Sequence, residues 1–180
     1  FEQAEARAAA LGNVGAQSDA LRGQAEARQL AGRYAESLAP LEEALALARR
    51  SGDPLREAAA LGALGNAYVA LAEFEKAESL LGRAVVISRG GSGEERARAG
   101  LVAALLNNLG NQRAIAGNTR GALAAYRESA DEALVAGQPL RAAQAEANAA
   151  RTALELGLNE ETRGALEDAR RALAGARLAP

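Results

Sequence analysis

Leu64-Gly65-Asn66-Ala67-Tyr68, followed by Leu71 and then by Phe74-Glu75-Lys76-Ala77, is the stretch that decides how this chain folds. A near copy stands 45 residues further on, as Asn108-Leu109-Gly110-Asn111 with Gly117, Ala122 and Tyr126. Working outward from the two, Phe1, Leu41, Leu81, Tyr126 and Leu166 fall in one column, spaced 40, 40, 45 and 40 residues. Three residues on, Ala4, Ala44, Ala84, Ser129 and Ala169 make a column of small side chains. A third column holds Ala25, Gly65, Gly110 and Ala150, and a fourth Ser37, Ala77, Ala122 and Thr162. Four columns at one period mark an internal repeat, and a period near 40 signals supersecondary units that stack. The five-residue excess coincides with Arg89-Gly90-Gly91-Ser92-Gly93, whose composition assigns it to a loop.

Composition names the kind of unit. Of 180 residues, 49 are Ala and 26 Leu, against eight Val plus Ile and five aromatics. Ala and Leu lead the helix scale, while strands draw on β-branched and aromatic residues, so the fold class is all-α. The predicted helices run 1–11, 18–31, 34–50, 54–71, 74–88, 94–116, 119–136, 139–156 and 160–175. Gly52 and Gly137 stand where a left-handed C-cap is wanted, Ser18 and Asp53 offer N-cap oxygens, and Pro54 and Pro139 fall at first helical positions. Within the units, tight turns at Gly32, Ala72, Gly117 and Gly157 imply antiparallel helix pairs. A lone pair cannot bury its apolar faces, so neighbours must stack. The expectation is a right-handed α-solenoid, one array over 1–180. It comprises the second helix of a truncated repeat (1–14) and helix pairs at 18–50, 54–88, 94–136 and 139–175.

The same composition narrows function. With no His and no Cys, the chain lacks the usual general base, the thiolate nucleophile and the N/S ligands of zinc, so no metal or cofactor is expected. The carboxylate pairs Glu42-Glu43, Glu94-Glu95 and Asp131-Glu132 are adjacent on helices and diverge by about 100°. The sole lysine, Lys76, lies on a predicted outer helix, so no enzyme activity is expected. A net charge of −2 supplies no field to draw in nucleic acid or an anionic membrane. The longest apolar run, Leu101 to Leu106, falls far short of the roughly 20 residues that span a bilayer. No signal-peptide pattern leads the chain, which reads as a cytoplasmic piece of something longer. Twenty Arg against one Lys, with so much Ala, fits a GC-rich bacterial source.

The quoted stretch resembles the tetratricopeptide repeat signature: Leu-Gly, a Tyr three residues after the Gly, an aromatic at the start of the second helix and an Ala three later. The unit with Gly32, Tyr34, Leu41 and Ala44 keeps the second half of the pattern. Leu21, Leu61 and Leu106 stand where the family often has Trp, with Glu146 in the last unit. Gln24, Arg28 and Arg113 replace apolar signature residues, and Asn159 replaces the aromatic. The 40-residue period is similar to that of long-helix members such as kinesin light chain and bacterial signalling arrays.

The resemblance implies that the first helix of each pair lines a concave surface. The outward positions on those helices are then Arg22, Glu26 and Gln29; Ala59, Gly62, Asn66 and Val69; Asn107, Asn108, Asn111 and Ile115; and Gln144, Asn148, Arg151 and Glu155. Asn is less favourable than Ala in a helix by about 0.5–0.7 kcal/mol, so Asn66, Asn107, Asn108, Asn111 and Asn148 call for a reason. Their amides could hold the backbone of an extended peptide, the role the resemblance gives Asn66 and Asn111, or they could fix the register of adjacent repeats. Arg22 and Arg151 could meet an acidic ligand group, although Arg22 with Glu26 is also an ordinary i,i+4 pair. The expected function is a scaffold gripping a protein or peptide partner, with no nucleic-acid or membrane partner. A regulatory sensor arm and a structural spacer that self-associates through its end repeats are the alternatives.

Overall fold

The computed structural model describes residues 2–178, which among themselves contain helices and turns only. They are α1 (Glu2–Ala10), α2 (Val14–Leu30), α3 (Tyr34–Ser51), α4 (Pro54–Ala70), α5 (Phe74–Gly90), α6 (Glu95–Ile115), α7 (Thr119–Val135), α8 (Pro139–Glu155) and α9 (Asn159–Leu178). The chain divides into two compact units, Phe1–Ser92 and Gly93–Pro180. In the first, α2 pairs with α3 and α4 with α5, while α3 also packs on α4 and α2 on α4. In the second, α6 pairs with α7 and α8 with α9, with α7 against α8 and α6 against α8. Each unit thus holds two stacked helix pairs whose first helices touch, and in the first α1 packs on α2 as well.

The columns explain the packing. Leu41, Leu81 and Tyr126 are fully buried knobs, and the third column supplies the hollow each one enters. A Cβ on Gly65 would lie 2.7 Å from Leu81 Cγ, and one on Gly110 would lie 2.6 Å from Tyr126 Cε1. The Leu-Gly of the repeat is therefore a seat for the knob of its own second helix. Leu41 meets Ala25 with Ala63, Leu64 and Ala67. The column fails at its ends: Phe1 lies outside the described residues, and Leu166 is 50% exposed because α9 turns Ala165 inward instead.

Second-column residues meet the preceding first helix through small side chains. Ser18 Oγ donates to Ala44 O at 2.8 Å, and Ser129 Oγ donates to Ala103 O at 2.8 Å. Ser18 and Ala103 occupy equivalent first-helix positions, and Ala44 and Ser129 equivalent second-helix positions. The same crossing carries one hydroxyl in both units, from opposite sides.

The expected N-cap at Ser18 is corrected. α2 begins at Val14, capped by Asn13, whose side chain accepts from Ala16 N at 3.0 Å. The signal was Gly12-Asn13, which stands 40 residues before Gly52-Asp53. Asp53 caps α4 as expected, accepting from Leu55 N and Arg56 N, and Gly52 takes the left-handed conformation at φ 69°. In the α4–α5 turn that conformation falls on Ala72, at φ 60°, the one non-glycine residue with positive φ among those described. The five-residue excess, assigned to the loop at 89–93, goes mostly into a helix: α6 has 21 residues against 17 in α4, in line with the longer helix expected over 94–116.

Candidate peptide-binding face

The residues singled out in the sequence all lie on first helices. In unit 1, Arg22 and Glu26 form an i,i+4 ion pair on α2, with both side chains partly in solvent. Such pairs contribute a few tenths of a kcal/mol. One turn on, Gln29 Nε2 reaches across to Ala63 O of α4 at 3.2 Å and to Ser37 Oγ at 3.3 Å. Asn66 is half-buried, and its amide makes no hydrogen bond with another described residue.

In unit 2 the amides separate into roles. Asn148 Nδ2 on α8 donates to Asn107 Oδ1 on α6 at 3.0 Å, joining adjacent repeats. Asn111 Oδ1 accepts from Tyr126 OH at 2.8 Å, so it satisfies the hydroxyl of a completely buried ring. Burial pushes the Tyr126 phenol up from its usual range, with the Arg151 guanidinium nearby acting in the opposite direction. Asn108 has no such partner among the described residues and is half-buried. Each bonded asparagine keeps an unused half of its amide, since one donor or acceptor of the set is engaged.

Asn107 and Asn108 line an open hollow of about 710 Å³ between α6, the start of α8 and Ala176 of α9. Gln138 and Gln144 bring two more amides to it, and Pro139, Leu140 and Ala104 give it apolar walls. Leu140 is 67% exposed. Gln138 was missed in the sequence. It stands in the N-cap column with Asn13 and Asp53, but its longer side chain makes no cap bond and packs on Gly100, where a Cβ would lie 2.7 Å from its Nε2. Its Oε1 is buried with no hydrogen-bond partner. A glutamine at a position that favours short capping side chains was the available signal.

The family model of the tetratricopeptide repeat matches residues 17–89, which span the two helix pairs of unit 1. The stretch 17–89 carries tetratricopeptide repeats. Such repeats mediate protein–protein interaction. The crystal structure of BtubC (BKLC) from P. vanneervenii is similar to this chain with a TM-score of 0.63 and 17% identity, over 99% of this chain and 90% of that one. The likeness is one of fold, an all-α helical-repeat solenoid. A putative kinesin light chain from Podosopora anserina with nearly identical TPR-like repeats is similar at a TM-score of 0.49 and 17% identity, over 89% and 97%. No curated protein matches the sequence. Among the described residues no helix is long and apolar enough to cross a membrane, and no three carboxylates gather to hold a metal ion.

Proposed function

We propose that the first-helix face of the repeats binds an extended segment of a partner protein, with backbone hydrogen bonds from its amides and an apolar anchor in the unit 2 hollow. The observation that carries this reading is the hollow itself: Asn107, Asn108, Gln138 and Gln144 surround walls that include an exposed leucine. Few, placed polar groups around an apolar cleft are what a specific ligand site needs. Amides rather than charges suit a peptide backbone, whose N–H and C=O are present whatever its side chains. In unit 1, Asn66 offers the same chemistry on α4. Arg22 and Glu26 in unit 1, and Arg151 in unit 2, supply charge on their own first helices, where such groups tune association rate more than affinity. Once ordering costs are subtracted, binding is expected to be micromolar, about 8 kcal/mol.

Selection from a display library of random linear peptides tests this. Binders are expected whose affinity falls at least about tenfold for Asn108→Ala with Gln144→Ala, while the melting temperature holds. Affinities indifferent to both substitutions would move the ligand off this face.

A further inference from the structure

A second hollow, of about 530 Å³, lies in unit 1 between α3 and α5, over the end of α4. It is separate from the amide face: Leu45, Leu64, Tyr68 and Leu80 line it, and Glu42, Glu75 and Lys76 stand around it. Leu64 belongs to the buried core, and Leu45, Tyr68 and Leu80 are partly buried against that core. The cation is already engaged. Lys76 Nζ lies 3.1 Å from Glu73 Oε2 and 5.3 Å from the centroid of the Tyr68 ring. Glu42 and Glu75 are exposed and have no ion-pair partner among the described residues.

The matching place in unit 2 is built shut. Counting 85 residues on, Leu45, Leu64, Tyr68 and Leu80 become Ala130, Ala149, Ala153 and Ala165, and Glu42 and Lys76 become Arg127 and Glu161. Those alanines are buried, and the Arg127–Glu161 ion pair ties α7 to α9. Unit 1 has the two charges in reverse order, but its lysine is held by Glu73 and the ring of Tyr68. What remains open there is a large-residue apolar trough with two uncompensated carboxylates at its edge.

We infer that this trough is a docking site for a segment of a partner protein that presents an apolar side chain flanked by Lys or Arg. The apolar residue enters between Leu45, Leu64 and Leu80, and the flanking cations reach Glu42 and Glu75. Charge complementarity selects this occupant, because an anionic rim repels phosphate-bearing surfaces and acidic peptides alike. The volume lies within the roughly 300–1,000 Å³ of ligand clefts.

Two display libraries of linear peptides, one with a leucine flanked by arginines and one with a leucine flanked by glutamates, are panned on the full chain. Binders are expected from the arginine library only. Their affinity should fall at least about tenfold for Glu42→Arg with Glu75→Arg, and fall likewise for Ser79→Tyr, which lays a ring over the trough from an exposed position. Asn108→Ala, in the other unit, should leave it unchanged. Binders from the glutamate library, arginine-library binders that ignore both variants, or no binders from either library would overturn the assignment.

Discussion

Asn111 and Asn108 are three residues apart on one helix, yet they face different tests. Asn111 accepts the hydroxyl of a completely buried tyrosine, so Asn111→Ala leaves that O–H without its acceptor. The expected cost is about 1–3 kcal/mol, read as a lower urea midpoint. Asn108 bonds no other described residue, and Asn108→Ala is expected to stay within about 0.5 kcal/mol of the parent. Spacing alone could not separate the two, because a bonding partner is chosen by which helix crosses where. Glu146 carries a pH-dependent effect. Burial, with Asp168 and Asp131 nearby, pushes its carboxyl up to about 6 from an ordinary 4.5. A folded value above the unfolded one means its contribution is most favourable below pH 4.5 and is lost as the pH rises through 6. Glu146→Gln is therefore expected to raise the melting temperature at pH 8 and to do little at pH 4. After allowance for solvent screening, the gain is on the order of 1 kcal/mol.

Helices were legible because Ala and Leu supply so much of the chain, and their junctions because glycine and capping residues punctuate them. The start of α2 was misplaced because Ser18 is also a good capping residue, while its hydroxyl in fact crosses to α3. The length of α6 was legible, the expected helix 94–116 differing from Glu95–Ile115 by one residue at each end. α3 runs through Pro40, as the expected helix 34–50 did. Two glycines inside helices show how geometry decides the sign of one change. Gly82 faces open space, so Gly82→Ala is expected to stabilise by about 0.5–1 kcal/mol through helix propensity. Gly65 faces fully buried Leu81, so Gly65→Ala must displace that knob. Overpacking of this kind costs about 1–3 kcal/mol, more than propensity returns, and the net effect should be a lower urea midpoint.

For the whole molecule, the core clusters around Leu41 and around Leu21 lie inside the first unit, and those around Tyr126 and Ala133 inside the second. Each unit buries its own apolar contacts, as repeat proteins with nearest-neighbour cohesion do. Fragments 1–92 and 93–180 are each expected to retain helical circular dichroism and to unfold cooperatively in urea. A fragment without a cooperative transition would show that its core is incomplete alone. At this scale the sequence was informative about the period and the buried columns. It was silent on the two hollows, which depend on whether leucines or alanines happen to face each other across a helix pair. The serine that crosses between paired helices carries a lesson about divergence. Because the hydroxyl sits on α2 in one pair and on α7 in another, aligning repeats one position at a time would score serine as optional twice over. The unit under constraint is the meeting point and not either residue, so such pairs can trade partners across the seam without losing the bond.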